Sequence, residues 1–134
     1  MLSSLIIGLT LLAHAESPLK CEKGTLRETT DGKTTEMSQT YCYNQDKNIL
    51  ASPSCKKLDC SIAFNTKKKM SAAKLQNTTS NPGFNICREL EGKPQIVEFK
   101  VGADWHRLDR CTFKDGSFVS TSELVGFYLK PLRD

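Results

Sequence analysis

An α+β fold of small disulfide-stabilised antiparallel β-hairpins with short helices is predicted by three features of this 134-residue chain. Six cysteines lie in a short sequence, two Asp-Gly pairs interrupt strand-like runs, and two capping residues each precede a short helical pattern. A lysine-rich stretch between the hairpins divides the fold into two subdomains, residues 16–65 and 81–134, joined by a basic linker over residues 66–80.

The cysteines are read through their compartment. Residues 1–15 have the form of a signal peptide. The apolar run Leu5 to Leu12 is too short to span a bilayer and ends in Ala13-His14-Ala15, a small-x-small cleavage pattern. The mature chain is therefore expected to start near Glu16, in the periplasm or outside the cell. An even cysteine count in a short exported chain implies a disulfide framework, because an oxidising compartment favours the bridge and a small core gains from it.

Local geometry selects the pairs. Asp31-Gly32 signals a two-residue type I′ turn, which pairs residues whose numbers sum to 63. That register places Cys21 opposite Cys42, Leu26 opposite Met37, and Arg27 opposite Glu36: a bridge, an apolar pair and an opposite-charge pair. Proximity then pairs Cys55 with Cys60, and Cys87 with Cys111. Each closed loop is expected to stabilise by roughly 2 to 3.5 kcal/mol. Residues 43–65 add Tyr43, Ile49, Leu50, Leu58, Ile62 and Phe64 to complete an N-terminal core.

Charge is uneven. Residues 16–65 hold seven basic and seven acidic side chains and residues 81–134 hold eight of each, so the net +4 resides in residues 66–80. There Lys67, Lys68, Lys69 and Lys74 stand without an acid and form a candidate contact for an anionic membrane surface. A solvated linker is the plainer reading of the same lysines. Nucleic acid is not an expected partner, because no aromatic residue interleaves with them.

In the C-terminal half, Asn81-Pro82 reads as an N-cap followed by proline at the first helical position, with Gly92 placed to end that helix. Strands are expected around Ile96 to Val101 and Trp105 to Phe113, with Gly102-Ala103-Asp104 as the loop between them. Asp115-Gly116 predicts a second two-residue turn that sets Phe113 against Phe118. Ser120-Thr121-Ser122-Glu123 has capping-box spacing and opens a helix expected to stop before Pro131.

Several of these residues carry a resemblance. Asn81-Pro82-Gly83 leading to Cys87, then Gly92, the strand around Ile96, and Cys111-Thr112-Phe113-Lys114-Asp115-Gly116-Ser117 resemble a small cysteine-containing bacterial domain family that bears a haemolysin label. About 50 residues of the C-terminal half are covered. The family has two further cysteines where this chain has Val119 or Ser120 and then none. The resemblance implies an exported bacterial domain of mixed α and β structure with no catalytic residue to transfer.

Catalysis is not expected. A nucleophile–histidine arrangement needs a base, and His106 is the one histidine left after signal removal, set in a strand pattern. Glu89, Glu91, Asp104 and Asp109 are scattered among basic residues, as on a solvated surface. A zinc site or redox motif lacks the Cys-x-x-Cys spacing, and no cofactor is expected. Trp105 is either a core residue or a partner anchor. The Cys55–Cys60 loop, with Lys56, Lys57, Leu58 and Asp59, is a candidate partner loop. The sequence thus predicts a non-catalytic, disulfide-stabilised binding or structural protein of the bacterial exterior. Its alternatives are a membrane-perturbing haemolysin-like factor and a hydrolase inhibitor. Its expected partners are an anionic membrane surface, an envelope protein or a glycan.

Overall fold

Asp31 and Gly32 both hold positive φ, 51° and 82°, as a type I′ turn demands, and the chain reverses there between β1 (Lys20–Thr30) and β2 (Lys33–Asn44). Cys21 lies opposite Cys42, Leu26 opposite Met37 and Arg27 opposite Glu36, the register that the turn predicts. A computed structural model describes residues 19–44, 46, 48–64 and 81–133. The expected signal peptide and the basic linker, with Lys67, Lys68, Lys69 and Lys74, lie outside the described residues.

Four further strands follow: β3 (Ile49–Ala51), β4 (Lys93–Val101), β5 (Asp104–Thr112) and β6 (Phe118–Ser120). β4 and β5 form the second long hairpin, closed at Gly102-Ala103 with Gly102 at φ 64°. The short helices are α1 (Ser61–Phe64) and α2 (Pro82–Glu89), with a 3-10 turn at Pro53–Cys55; α3 (Thr121–Arg133) is longer.

The α+β expectation of separate hairpins is overturned. The strands close into one antiparallel barrel in the order β1-β2-β3-β6-β5-β4, and the architecture is mostly β. Closure runs through pairings between distant strands: Leu26 to Thr29 of β1 against Phe99 to Ile96 of β4, and Ala51 of β3 against Val119 of β6. Each hairpin alone would present unpaired N–H and C=O groups along its edges, and mutual pairing satisfies both.

Strand alternation divides the core in two. Leu26, Tyr41, Tyr43, Leu50, Val97, Phe99 and Phe118 fill the barrel. The opposite faces of β2, β3, β5 and β6 present Cys42, Ala51, Cys111 and Val119 to a second cluster, where Ile86, Cys87 and Leu90 from the α2 segment and Leu124 and Leu129 of α3 cover them. Gly24 is needed in β1 because a Cβ there would overlap the Tyr41 hydroxyl.

Three local expectations are corrected. Asp115-Gly116 does not form a two-residue turn: Thr112, not Phe113, pairs with Phe118. Phe113 N–H donates to the Ser117 carbonyl (2.8 Å), Gly116 N–H donates to the Phe113 carbonyl (3.0 Å), and Gly116 has φ 89°. This is a three-residue loop with glycine in the left-handed position. Asp115 fixes it by accepting from both the hydroxyl and the N–H of Ser117.

Gly92 does not terminate α2 through left-handed backbone. Glu91 takes that conformation (φ 64°), while Glu91 N–H donates to Arg88 and Gly92 N–H to Cys87, the paired bonds of a Schellman end. Glycine is required at 92 for space, since a Cβ would overlap Cys111 Sγ. Finally, α3 continues past Pro131 to Arg133. The proline removes one donor in the last turn, a smaller loss than in a helix centre.

Candidate functional site

The most buried charge in the barrel is one that the sequence reading passed over. Arg110 in β5 is 2% exposed. Its Nη2 donates to Glu28 Oε1 (2.8 Å), its Nε to Gln95 Oε1 (2.8 Å) and its Nη1 to Gln39 Oε1 (3.2 Å). Gln95 Nε2 in turn donates to Glu28 Oε2 and Thr30 Oγ1, and Thr112 Oγ1 donates to Gln95 Oε1. The guanidinium also lies 4.5 Å from the Phe118 ring centroid. Burial pushes the Arg110 pKa down, while Glu28 opposes that shift. A detectable signal existed: Leu108, Arg110 and Thr112 share one strand face, and an arginine in phase with inward residues must find partners.

At the other end of the interior, the Tyr41 hydroxyl donates to the Lys100 carbonyl (2.7 Å) and Tyr43 to Glu22 (3.2 Å). Burial raises both phenolic pKa values, and the Glu22 charge raises them further. Each of these interior polar side chains is therefore engaged by a partner.

Exposed chemistry lies outside the barrel. A cleft of about 330 Å³ opens between α2, the β1–β2 turn and the start of β4, lined in part by Thr29, Asp31, Phe84, Arg88, Lys93 and Ile96. Its walls are fixed by different devices. Asn81 Oδ1 accepts from Gly83 and Phe84 N–H at the start of α2, a cap worth about 1 kcal/mol, and the Cys87–Cys111 bridge ties that helix to β5. Around the outer sheet face, the Arg27 guanidinium lies 3.8 Å from the Trp105 ring centroid and 3.6 Å from Glu98. Trp105 is half-buried there, outside both core clusters.

The expected partner loop is held by Cys55–Cys60. Lys56, Lys57 and Asp59 are exposed, whereas Leu58 packs against the outer core at φ 58° and its N–H donates to Cys55. All three bridges, Cys21–Cys42, Cys55–Cys60 and Cys87–Cys111, join the pairs expected from sequence. His106 is half-buried beside Phe99 in the barrel.

Among the described residues, no group of three or more His, Cys, Asp and Glu side chains could hold a metal ion, and no helix is long and apolar enough to cross a membrane. Three disulfides fit a protein that folds in an oxidising, extracellular environment. No family model, curated protein or solved structure matches the chain.

Proposed function

We propose that this chain is an exported, non-catalytic binding or structural protein of the bacterial periplasm or cell exterior, in which a disulfide-stapled barrel presents a rigid outer surface to an envelope component. The observation that carries this reading is the reciprocal Arg110–Glu28–Gln95 network. It fills one end of the barrel with polar groups that satisfy each other, so the chemistry left for a partner lies on the outside. The cleft beside α2 and the Arg27–Trp105 face supply that chemistry.

A second reading is favoured by the Cys55–Cys60 loop. Exposed Lys56, Lys57 and Asp59 sit on a short bridged segment anchored inward by Leu58, the form of a loop that inserts into a hydrolase. Replacing Cys55 and Cys60 together should abolish inhibition on this reading.

The test of the main reading is sedimentation of oxidised mature protein with isolated bacterial envelopes, beside anionic and neutral vesicles holding an entrapped dye, over a salt series. Saturable envelope binding without dye release or envelope breakdown supports it. Dye release would overturn it in favour of a membrane-perturbing factor acting through Lys67, Lys68, Lys69 and Lys74. Hydrolysis of envelope material would overturn the non-catalytic assignment.

A further inference from the structure

We propose that the cleft between α2 and the β1–β2 turn binds a carboxylate-bearing sugar unit of an acidic polysaccharide. This assignment rests on the reading of the chain as an envelope-binding protein and names the ligand class for one site. Size is the first observation: about 330 Å³ lies at the lower end of small-ligand sites, room for a sugar residue with its chain continuing into solvent.

Chemistry is the second. Phe84 and Ile96 offer apolar surface for the C–H face of a pyranose. Arg88, one helical turn after Phe84, keeps its guanidinium 5.8 Å from the Phe84 ring centroid, and a guanidinium fork matches a carboxylate in a two-bond geometry. Lys93 adds a second cation at the start of β4. From the turn on the other side, Asp31 contributes an acceptor for sugar hydroxyls. Cations from α2 and β4 with a carboxylate from the turn suit a ligand that carries both an acid and hydroxyl donors. Phosphate would meet the cations but bring no sugar hydroxyls for Asp31 to accept from.

Rigidity is the third. Binding affinity is eroded by the ordering of side chains and loops, and the walls here are ordered beforehand. The Asn81 cap and the Cys87–Cys111 bridge hold α2. Gly92 sits against that bridge at the cleft edge. Thr30, on the cleft rim, accepts from Gln95 of the interior network. A peptide strand is disfavoured as the occupant, because the sheet closes on itself and leaves the pairing order without a free edge strand.

The experiment is an amide NMR titration of the oxidised mature protein with tetragalacturonate, with maltotetraose, tetraglutamate and inorganic phosphate as comparison probes. Tetragalacturonate should shift the amides of Gly32, Phe84, Gly92 and Ile96; Arg88→Gln should weaken it roughly tenfold or more, the loss expected for one charge-assisted hydrogen bond, and Asp31→Asn, which exchanges a charged acceptor for a neutral one, should weaken it by less. Asparagine tolerates the positive φ of Asp31, and Arg88 is exposed, so both variants should retain the native amide spectrum elsewhere. Equal response to maltotetraose, tighter binding of tetraglutamate or phosphate, shifts confined to another face, or unchanged affinity in both variants would each overturn the assignment. Envelope sedimentation separates the two claims: binding that survives in the Arg88→Gln, Asp31→Asn double variant refutes this ligand assignment alone, whereas absence of wild-type envelope binding refutes the broader reading.

Discussion

Replacing Arg110 by methionine should cost about 3 kcal/mol of stability, near the lower end of the range for removing one partner of a buried ion pair. Methionine retains the apolar stem and a contact with Phe118, so the loss isolates the polar head. Three donor bonds disappear: those to Glu28 and Gln95 at 2.8 Å, and that to Gln39 at 3.2 Å. Bonds of this charged kind are worth about 1.5–3 kcal/mol singly and do not add within one network. Glu28 decides where in the range the loss falls. Its side chain is 21% exposed, so water can partly replace the cation, and Gln95 Nε2 still donates to its other oxygen. Methionine at both 110 and 28 removes both charges and should recover part of the loss, the remainder reflecting the bonds that Gln39 and Gln95 lose, Gln95 keeping those to Thr30 and Thr112. Urea unfolding of oxidised protein at pH 7, followed by Trp105 fluorescence and far-UV circular dichroism, gives the three free energies of the cycle. A single-variant loss under about 1 kcal/mol, or a double-variant loss equal to the sum of the two single losses, would refute the assignment of Arg110 as the organiser of the interior.

Gly92→Ala should destabilise by about 1–3 kcal/mol, because the added methyl overlaps the Cys87–Cys111 sulfurs. In the same urea assay Glu91→Gly should stabilise by about 1 kcal/mol by relieving the positive φ of 64°; the reverse pattern would show that glycine is needed at 92 for helix termination. All three tyrosines, Tyr41, Tyr43 and Tyr128, have pKa values raised by burial, Tyr128 to about 12. Their neutral forms therefore contribute stability fully present below the unfolded value of about 10 and lost as pH rises through each folded value, which for Tyr128 is about 12; absorbance at 295 nm that titrates normally at pH 10 in folded protein would contradict this. Bonds from the Ser117 hydroxyl and N–H hold the Asp115 carboxyl below the ordinary carboxylate range, so its stabilisation is present above the unfolded value and lost as pH falls through the folded one. Ser117→Ala should raise the Asp115 pKa in a carboxyl carbon NMR titration, and an unchanged value would exclude the hydroxyl as the cause.

Local chemistry was legible wherever the information lies within a few residues. The Asp31-Gly32 turn set the whole β1–β2 register because alternation propagates from a fixed turn, and Asn81-Pro82 set the start of α2. Barrel closure was not legible. It depends on four facing pairs between β1 and β4 and a single pair between β3 and β6, so no sequence window contains both partners. The second Asp-Gly pair misled for a related reason: the dipeptide suits both a two-residue turn and the left-handed end of a three-residue loop, and the side-chain grip of Asp115 on Ser117 chose the latter. Arg110 was passed over because arginine is ordinarily a surface residue, and its acceptors come from β1, β2 and β4.

Barrel closure also determines where a binding site can form. Thr29 lies beside its cross-strand partner Ile96, and Asp31 joins Phe84 and Arg88 in lining the same cleft, because β1 and β4 pair, so neither half of the sequence contains the site. Two of the three bridges act on its walls. Cys87–Cys111 fastens α2 to β5, while Cys21–Cys42 locks the end of the β1–β2 hairpin remote from its turn. A slip of one residue there would move Thr29 from the cleft side of the sheet to the barrel interior. Reduction of these bridges should therefore weaken cleft binding even where the barrel persists. The Cys55–Cys60 bridge closes a separate local loop, and its removal should leave the cleft intact.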